Sequence, residues 1–184
     1  MKLKLLSILL IALFAWSCNQ TGDNADENTT DSLTTEAAAV TAEELIAFQS
    51  ELRMGTFIKQ IDPAGTEVKV FFVENYADFT TANPIGGLTE EQYFDNYEKN
   101  ANYEKALVEI PVELMRKFNG IEKVTVKMPL RDKVYTISVT RAEIETFTKM
   151  KFADFFEDWS KFSDPFILDD AGRKSFIDKF VKIQ

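Results

Sequence analysis

From residue 41 onward, the apolar positions switch between a helical rhythm of roughly 3.6 residues and a strand rhythm of two. Thr41 and Glu44 form a Thr-x-x-Glu capping box, and Leu45, Phe48 and Leu52 follow at helical spacing with Gly55 as the expected stop. Residues 62–65, DPAG, read as a turn. Residues 68–73, VKVFFV, are apolar on both faces except at Lys69, which predicts a strand in a central or well-covered position. A loop is expected at 83–87, NPIGG. A second capping box, Thr89 to Gln92, then opens a short helix carrying Tyr93, Phe94 and Tyr97.

Residues 106–110, ALVEI, fit either helix or strand, and Pro111 suits the first turn of a helix running to about Phe118. Residues 124–128 and 133–139 read as two strands of a hairpin joined by PLRD. The third capping box, Thr140 to Glu143, starts a helix with Ile144 and Phe147 inside it. Phe152, Phe155, Phe156, Trp159 and Phe162 continue at intervals of three and four, until Asp164 and Pro165 interrupt. Asp170 is the expected cap of a last helix holding Phe176, Ile177, Phe180 and Val181. The pattern predicts an α+β fold: a small mixed or antiparallel sheet of about four strands with five or six helices, in a single domain over 41–184.

The first residues follow neither rhythm. Residues 1–18 read MKLKLLSILLIALFAWSC, with Lys2 and Lys4 ahead of an apolar run at 5–14 broken only by Ser7. That run is about half of the roughly 20 residues a spanning helix needs, and it suits the apolar centre of a secretory signal. Ser17, a small residue, precedes Cys18, the only cysteine of the chain.

These residues resemble a bacterial lipoprotein signal, in which the cysteine is lipid-modified and becomes the first mature residue. Ser17 matches the small residue before the cysteine, whereas Ala15 and Trp16 depart from the usual Leu and small residue. Ala15-Trp16-Ser17 also serves as an ordinary secretory cleavage site, so a plainly secreted chain stays open. The resemblance implies removal of residues 1–17 and lipidation of Cys18. It places the protein in the cell envelope, held to the outer membrane of a Gram-negative bacterium. Two or three acyl chains, such as palmitate, would make the attachment effectively permanent, since each buried methylene adds about 0.8 kcal/mol. No free thiol would then remain for catalysis.

Between Cys18 and the body, residues 19–40 are rich in Asn, Thr, Asp and Glu, with Leu33 the one large aliphatic residue before Val40. Such composition cannot offset the entropy of ordering, so 18–40 is expected to act as a flexible acidic tether with a span of roughly 25 Å. Acids soon after the cysteine resemble surface-export signals of some lipoproteins. Asp31-Ser32-Leu33 resembles a short O-glycosylation pattern, which marks Ser32 as its acceptor.

Charge sharpens this division. The net charge is −9, and residues 19–44 carry Asp23, Asp26, Glu27, Asp31, Glu36, Glu43 and Glu44 without a single base. Residues 45–184 hold 23 acids against 19 bases. An acidic chain without a basic stripe is not expected to bind nucleic acid, whose phosphates must be neutralised.

With no histidine, imidazole metal sites and Ser-His-Asp or Cys-His pairs are excluded. No phosphate loop or EF-hand order appears, and Asp169-Asp170 is better explained by helix capping than by calcium. Neither an enzyme nor a bound cofactor is expected. The aromatic stripe at 152–166 reads as core. Trp159, Tyr93 and Tyr97 are the candidates for an exposed binding face, taking a protein partner or a small glycan.

Two functional classes follow. One is a non-catalytic binding or accessory module of the cell envelope. The other is an inhibitor or immunity-type protein that neutralises an envelope-acting enzyme.

Overall fold

The alternating apolar positions of the strands converge on one side of a single sheet, and that side carries the core. The computed structural model describes residues 39–85 and 87–184. Five strands lie side by side in chain order: β1 (Ile58–Ala64), β2 (Glu67–Phe72), β3 (Lys123–Leu130), β4 (Lys133–Thr140) and β5 (Val181–Ile183). β2 and β3 run parallel, and every other neighbouring pair is antiparallel. The fold is α+β, a mixed sheet packed with helices in a single domain. VKVFFV takes the predicted inner place, between β1 and β3.

Three capping boxes form where the sequence puts them. Thr41 heads α1 (Ala42–Gln49), Thr89 heads α3 (Glu90–Glu98) and Thr140 heads α5 (Arg141–Thr148). In each, the threonine hydroxyl accepts the backbone N–H three residues on at 3.2 Å. The predicted hairpin is β3–β4, with Val124 opposite Val139 and Val126 opposite Ile137.

The parallel β2–β3 pair requires a long crossover. It is filled by α2 (Tyr76–Ala82), α3 and α4 (Asn102–Lys117). Here the structure differs from the reading of the sequence. Helix α4 starts at Asn102 and keeps Pro111 in its interior, rather than starting at the proline. An interior proline costs about 3 kcal/mol. Burial of Ala106, Leu107, Val108, Ile110, Val112, Leu114 and Met115 along this one helix outweighs it.

Other differences have local causes. β1 runs through Asp62 and Pro63, and the reversal falls on Gly65 (φ +64°) and Thr66. As an edge strand, β1 tolerates a proline that cannot donate. Helix α1 ends well before Gly55. That glycine serves close approach, because a Cβ there would sit 2.0 Å from the Gln49 carbonyl oxygen.

The aromatic run is broken into pieces. Lys149 turns left-handed (φ +59°) after α5. Then come α6 (Phe152–Glu157) and α7 (Ser160–Ser163), which passes into a π-helical turn at Asp164–Leu168 holding Pro165. Asp169, not Asp170, caps α8 (Asp170–Phe180) by accepting the Gly172 N–H at 2.7 Å. Val181 lies in β5 rather than in that helix. Strand β5 lengthens the sheet beyond the about four strands expected.

The described helices lie on the core side of the sheet, where Val68, Val70, Phe72, Val124, Val126, Met128, Ile137 and Val139 are buried. One charge shares that core. Arg173 on α8, 5% exposed, donates to Ile167 O at 2.7 Å and to Glu104 at the start of α4 at 3.2 Å. Among the described residues no helix is long and apolar enough to cross a membrane.

Candidate functional site

Among the described residues, the opposite side of the sheet has no helix over it. Its residues line up in transverse rows set by the strand register. Gln60, Phe71, Lys127, Thr136 and Lys182 form one row across all five strands. Asp62, Lys69, Thr125 and Ser138 form the next, and Ala64, Glu67, Lys123 and Thr140 the one beyond. None of these side chains is buried.

The balance of charge on this face runs against that of the chain. Lys69, Lys123, Lys127 and Lys182 stand against Asp62 and Glu67. Lys123 is paired with Glu67 at 3.3 Å, whereas Lys69, Lys127 and Lys182 have no ion-pair partner among the described residues. Burial pushes the Glu67 carboxyl up, but hydrogen bonds from Thr125 at 3.0 Å and from Lys123 hold it below its ordinary value. Thr125 and Ser138 hydroxyls lie 2.9 Å apart. The centre of the face thus presents hydrogen-bonded hydroxyls and a paired Lys123, flanked by exposed lysines.

At one end the face dips into a hollow of about 470 Å³. Phe71, Pro129 and Val134 form its apolar side, and Lys127 reaches it from β3. Gln60 and Asn75 bring side-chain amides to its other side. Lys59 and Glu74 stand there too, but Lys59 is already committed to Asp78 at 2.9 Å and Glu74 at 3.9 Å. The hydrogen bond to Lys59 holds the Asp78 carboxyl below its ordinary value.

A second concavity, of about 400 Å³, lies between α1, α4 and α6. Four of its six charged side chains pair with one another. Arg53 pairs with Glu109, and Arg116 holds Glu113 in a two-pronged contact with 2.9 Å as the shorter arm. Burial pushes the Glu113 carboxyl above its ordinary value despite Arg116. The Arg116 guanidinium also lies over the Trp159 ring at 4.7 Å. Glu51 and Lys117 also line it outside these pairs, but as one acid and one base they give the groove no net charge, so it is the weaker candidate.

The residues singled out from the sequence do not gather at either place. Tyr93 and Tyr97, expected on a binding face, are core residues, 2% and 0% exposed. Their shared helix face turns inward, because α3 closes the aromatic cluster of Phe57, Phe72 and Phe79. Burial pushes the Tyr97 phenol far above its ordinary value, and its hydroxyl has no hydrogen-bond partner among the described residues. Trp159 is half-buried between Arg116 and Phe162, and is not a free stacking platform.

Phe152, Phe155 and Phe162 are buried as a core stripe should be, whereas Phe156 is 46% exposed. Asp170 engages Arg173, and Asp169 is spent as a cap. Among the described residues no three Cys, Asp or Glu side chains gather as a metal-holding group. Cys18, Ser32 and the tether at 18–40, except its last two residues, lie outside the described residues.

Phe71 and Lys127 were not singled out from the sequence. The available signal was the alternation in VKVFFV and VTVKM. It places Lys69, Phe71 and Lys127 on the same side of adjacent strands once the parallel register is known. Comparisons with protein-family models, with curated proteins and with solved structures give no match.

Proposed function

We propose that this chain is a lipid-anchored protein of the bacterial envelope whose folded body is a non-catalytic binding module. The observation that carries the reading is the bare sheet face. A largely antiparallel sheet can leave one face to solvent, so it is the side chains on that face that carry the argument. They include hydrogen-bonded hydroxyls and three lysines without an ion-pair partner among the described residues, groups that suit a contact surface. The lipoprotein-like signal ending at Cys18 supplies the anchor in this reading, with residues 19–40 as the spacer.

The face also favours this class over an inhibitor of a basic enzyme. An inhibitor of that kind needs an acidic contact surface. On this face lysines outnumber carboxylates.

The test uses the full chain in the cells that make it. A photo-crosslinking side chain at Ser138, on the bare face, should give a discrete adduct. The same group at Asp178, on the solvent side of α8, should give none. Equal adducts at both positions, or none at Ser138, would remove the binding-module reading. Cys18→Ala should move the protein from the membrane to the soluble fraction and abolish incorporation of labelled palmitate. A wild-type chain that takes up no label would remove the anchor.

A further inference from the structure

We infer that the hollow at the end of the bare face is a binding site for an acidic saccharide, with Lys127 as its anion contact and Phe71 as its stacking surface. The inference rests on the reading of that face as the contact surface and says what it takes.

Three features of the hollow carry it. The first is shape. A volume of about 470 Å³ lies within the usual ligand-pocket range of about 300–1,000 Å³, and four adjacent strands supply most of its lining. The second is the apolar side, where Phe71, Pro129 and Val134 present a ring and two compact aliphatic surfaces that are neither buried nor fully exposed. Such a surface suits the C–H face of a sugar ring, which is flat and apolar while its edge is ringed with hydroxyls. It is too small and too broken by polar groups to seat a helix.

The third feature is the polar complement. Lys127 stands beside Phe71 in the parallel register and has no carboxylate partner among the described residues. Lys69 and Lys182 on the same face, also unpaired, add to the positive potential around it. An ammonium group without a paired carboxylate offers a charged hydrogen-bond donor to an anion. Gln60 and Asn75 place amides across the hollow. The Gln60 Nε2 already donates to Asp62 at 2.7 Å, and the Asn75 Oδ1 accepts the Asp78 N–H at 2.9 Å. These bonds fix both amides while leaving Gln60 Oε1 to accept from a sugar hydroxyl and Asn75 Nδ2 to donate to one. Glu74 keeps a negative charge at the hollow, only partly offset by Lys59 at 3.9 Å, which Asp78 shares at 2.9 Å, so the carboxylate of a ligand is directed to Lys127.

A single carboxylate could be held by Lys127 alone. The pairing of a ring-sized apolar wall with two oriented amides is what points to a sugar acid over a simple anion or an anionic lipid surface. A lipid surface would use the lysines spread over the face and gain nothing from Phe71 or Gln60.

The experiment is titration calorimetry on the full chain in detergent micelles with a short oligogalacturonate. The control ligand is the same oligomer with its carboxylates reduced to alcohols. Binding should saturate for the acid and weaken by about tenfold or more for the neutral form, the loss expected when a charged hydrogen bond is removed. Lys127→Gln and Phe71→Ala should each weaken the acid by a similar factor, while Lys182→Gln should change it less than about twofold. Lys127 and Lys182 are exposed, so those two variants should keep the wild-type melting temperature, whereas half-buried Phe71 should lose some stability as Ala without unfolding the chain.

Failure of the acid oligomer to bind would overturn the inference. So would equal affinity for the neutral form, unaltered binding in Lys127→Gln and Phe71→Ala, or anionic vesicles that bind as strongly with Phe71→Ala as without it. If any of these holds while the Ser138 crosslink persists, the contact face stands and the saccharide site falls. If the crosslink is also lost, the reading of the face falls with it.

Discussion

The Arg173 guanidinium donates to the Glu104 carboxylate at 3.2 Å and so ties the last helix of the chain to the start of the central one. Arg173 is 5% exposed, whereas the Glu104 side chain is 32% exposed. The two partners are therefore unequal. Removing the arginine strands Ile167 O and a partly buried carboxylate, while neutralising the glutamate leaves Arg173 with its bonds to Asp170 and Ile167. Arg173→Met should cost about 2–4 kcal/mol of unfolding free energy and Glu104→Gln about 1 kcal/mol or less, measured by urea denaturation. Equal losses would show that the pair, and not the buried arginine, sets the stability.

The aromatic stripe divides by exposure. Phe155 and Phe162 are fully buried and stack 5.3 Å apart, and Phe156 points outward. Phe155→Ala and Phe162→Ala should each cost about 3–5 kcal/mol, or abolish soluble expression. Phe156→Ala should stay within about 1 kcal/mol. Thermal melts of all three variants separate these outcomes, and a large loss at Phe156 would contradict the assigned facing.

Tyr97 buries a hydroxyl with no partner among the described residues. Removing an unsatisfied buried polar group recovers its desolvation cost of about 1–3 kcal/mol. Tyr97→Phe should therefore leave the melting temperature unchanged or raise it. A clear drop would mean that the hydroxyl is satisfied, by the neighbouring Tyr93 hydroxyl or by an ordered water.

Acid sensitivity should appear at the α5–α6 junction. The Glu145 carboxylate accepts the Phe152 N–H at 2.9 Å and the Lys151 ammonium at 3.0 Å, and these contacts hold it below its ordinary value. A carboxyl lowered on folding contributes stability above its unfolded value, and that contribution is lost as pH falls through the folded one. The group is partly solvated, so its worth is that of an exposed cap. Glu145→Gln should cost about 0.5–1 kcal/mol at pH 7, with the difference closing in acid. A difference that persists at pH 2 would assign the effect to packing.

Local signals carried most of the elements. Thr41, Thr89 and Thr140 announce their helices because a capping box is written within four residues. The β3–β4 hairpin is equally local. What escaped depends on distant partners. β1 hides behind Asp62 and Pro63, and becomes a strand only because β2 folds back on it. Pro111 sits mid-helix because the core around α4 outweighs its cost.

The bare face was hidden for the same reason. Phe71 and Lys127 are 56 residues apart and meet only through the parallel register of β2 and β3. No sequence rhythm reports which face of a sheet the helices leave bare. Tyr93 and Tyr97 misled because helical spacing identifies a shared face without saying which way it turns.

The central claim, that the bare sheet face meets a partner in the envelope, is tested most directly by lysine footprinting in intact cells. Acetylation rates of Lys69, Lys127 and Lys182 are compared between the anchored protein in cells and the purified full chain. Lys161 and Lys174, exposed on the helical side, serve as internal references. The account predicts slower modification of the three face lysines in cells, with the references unchanged. Equal rates at all five positions in both settings would contradict it.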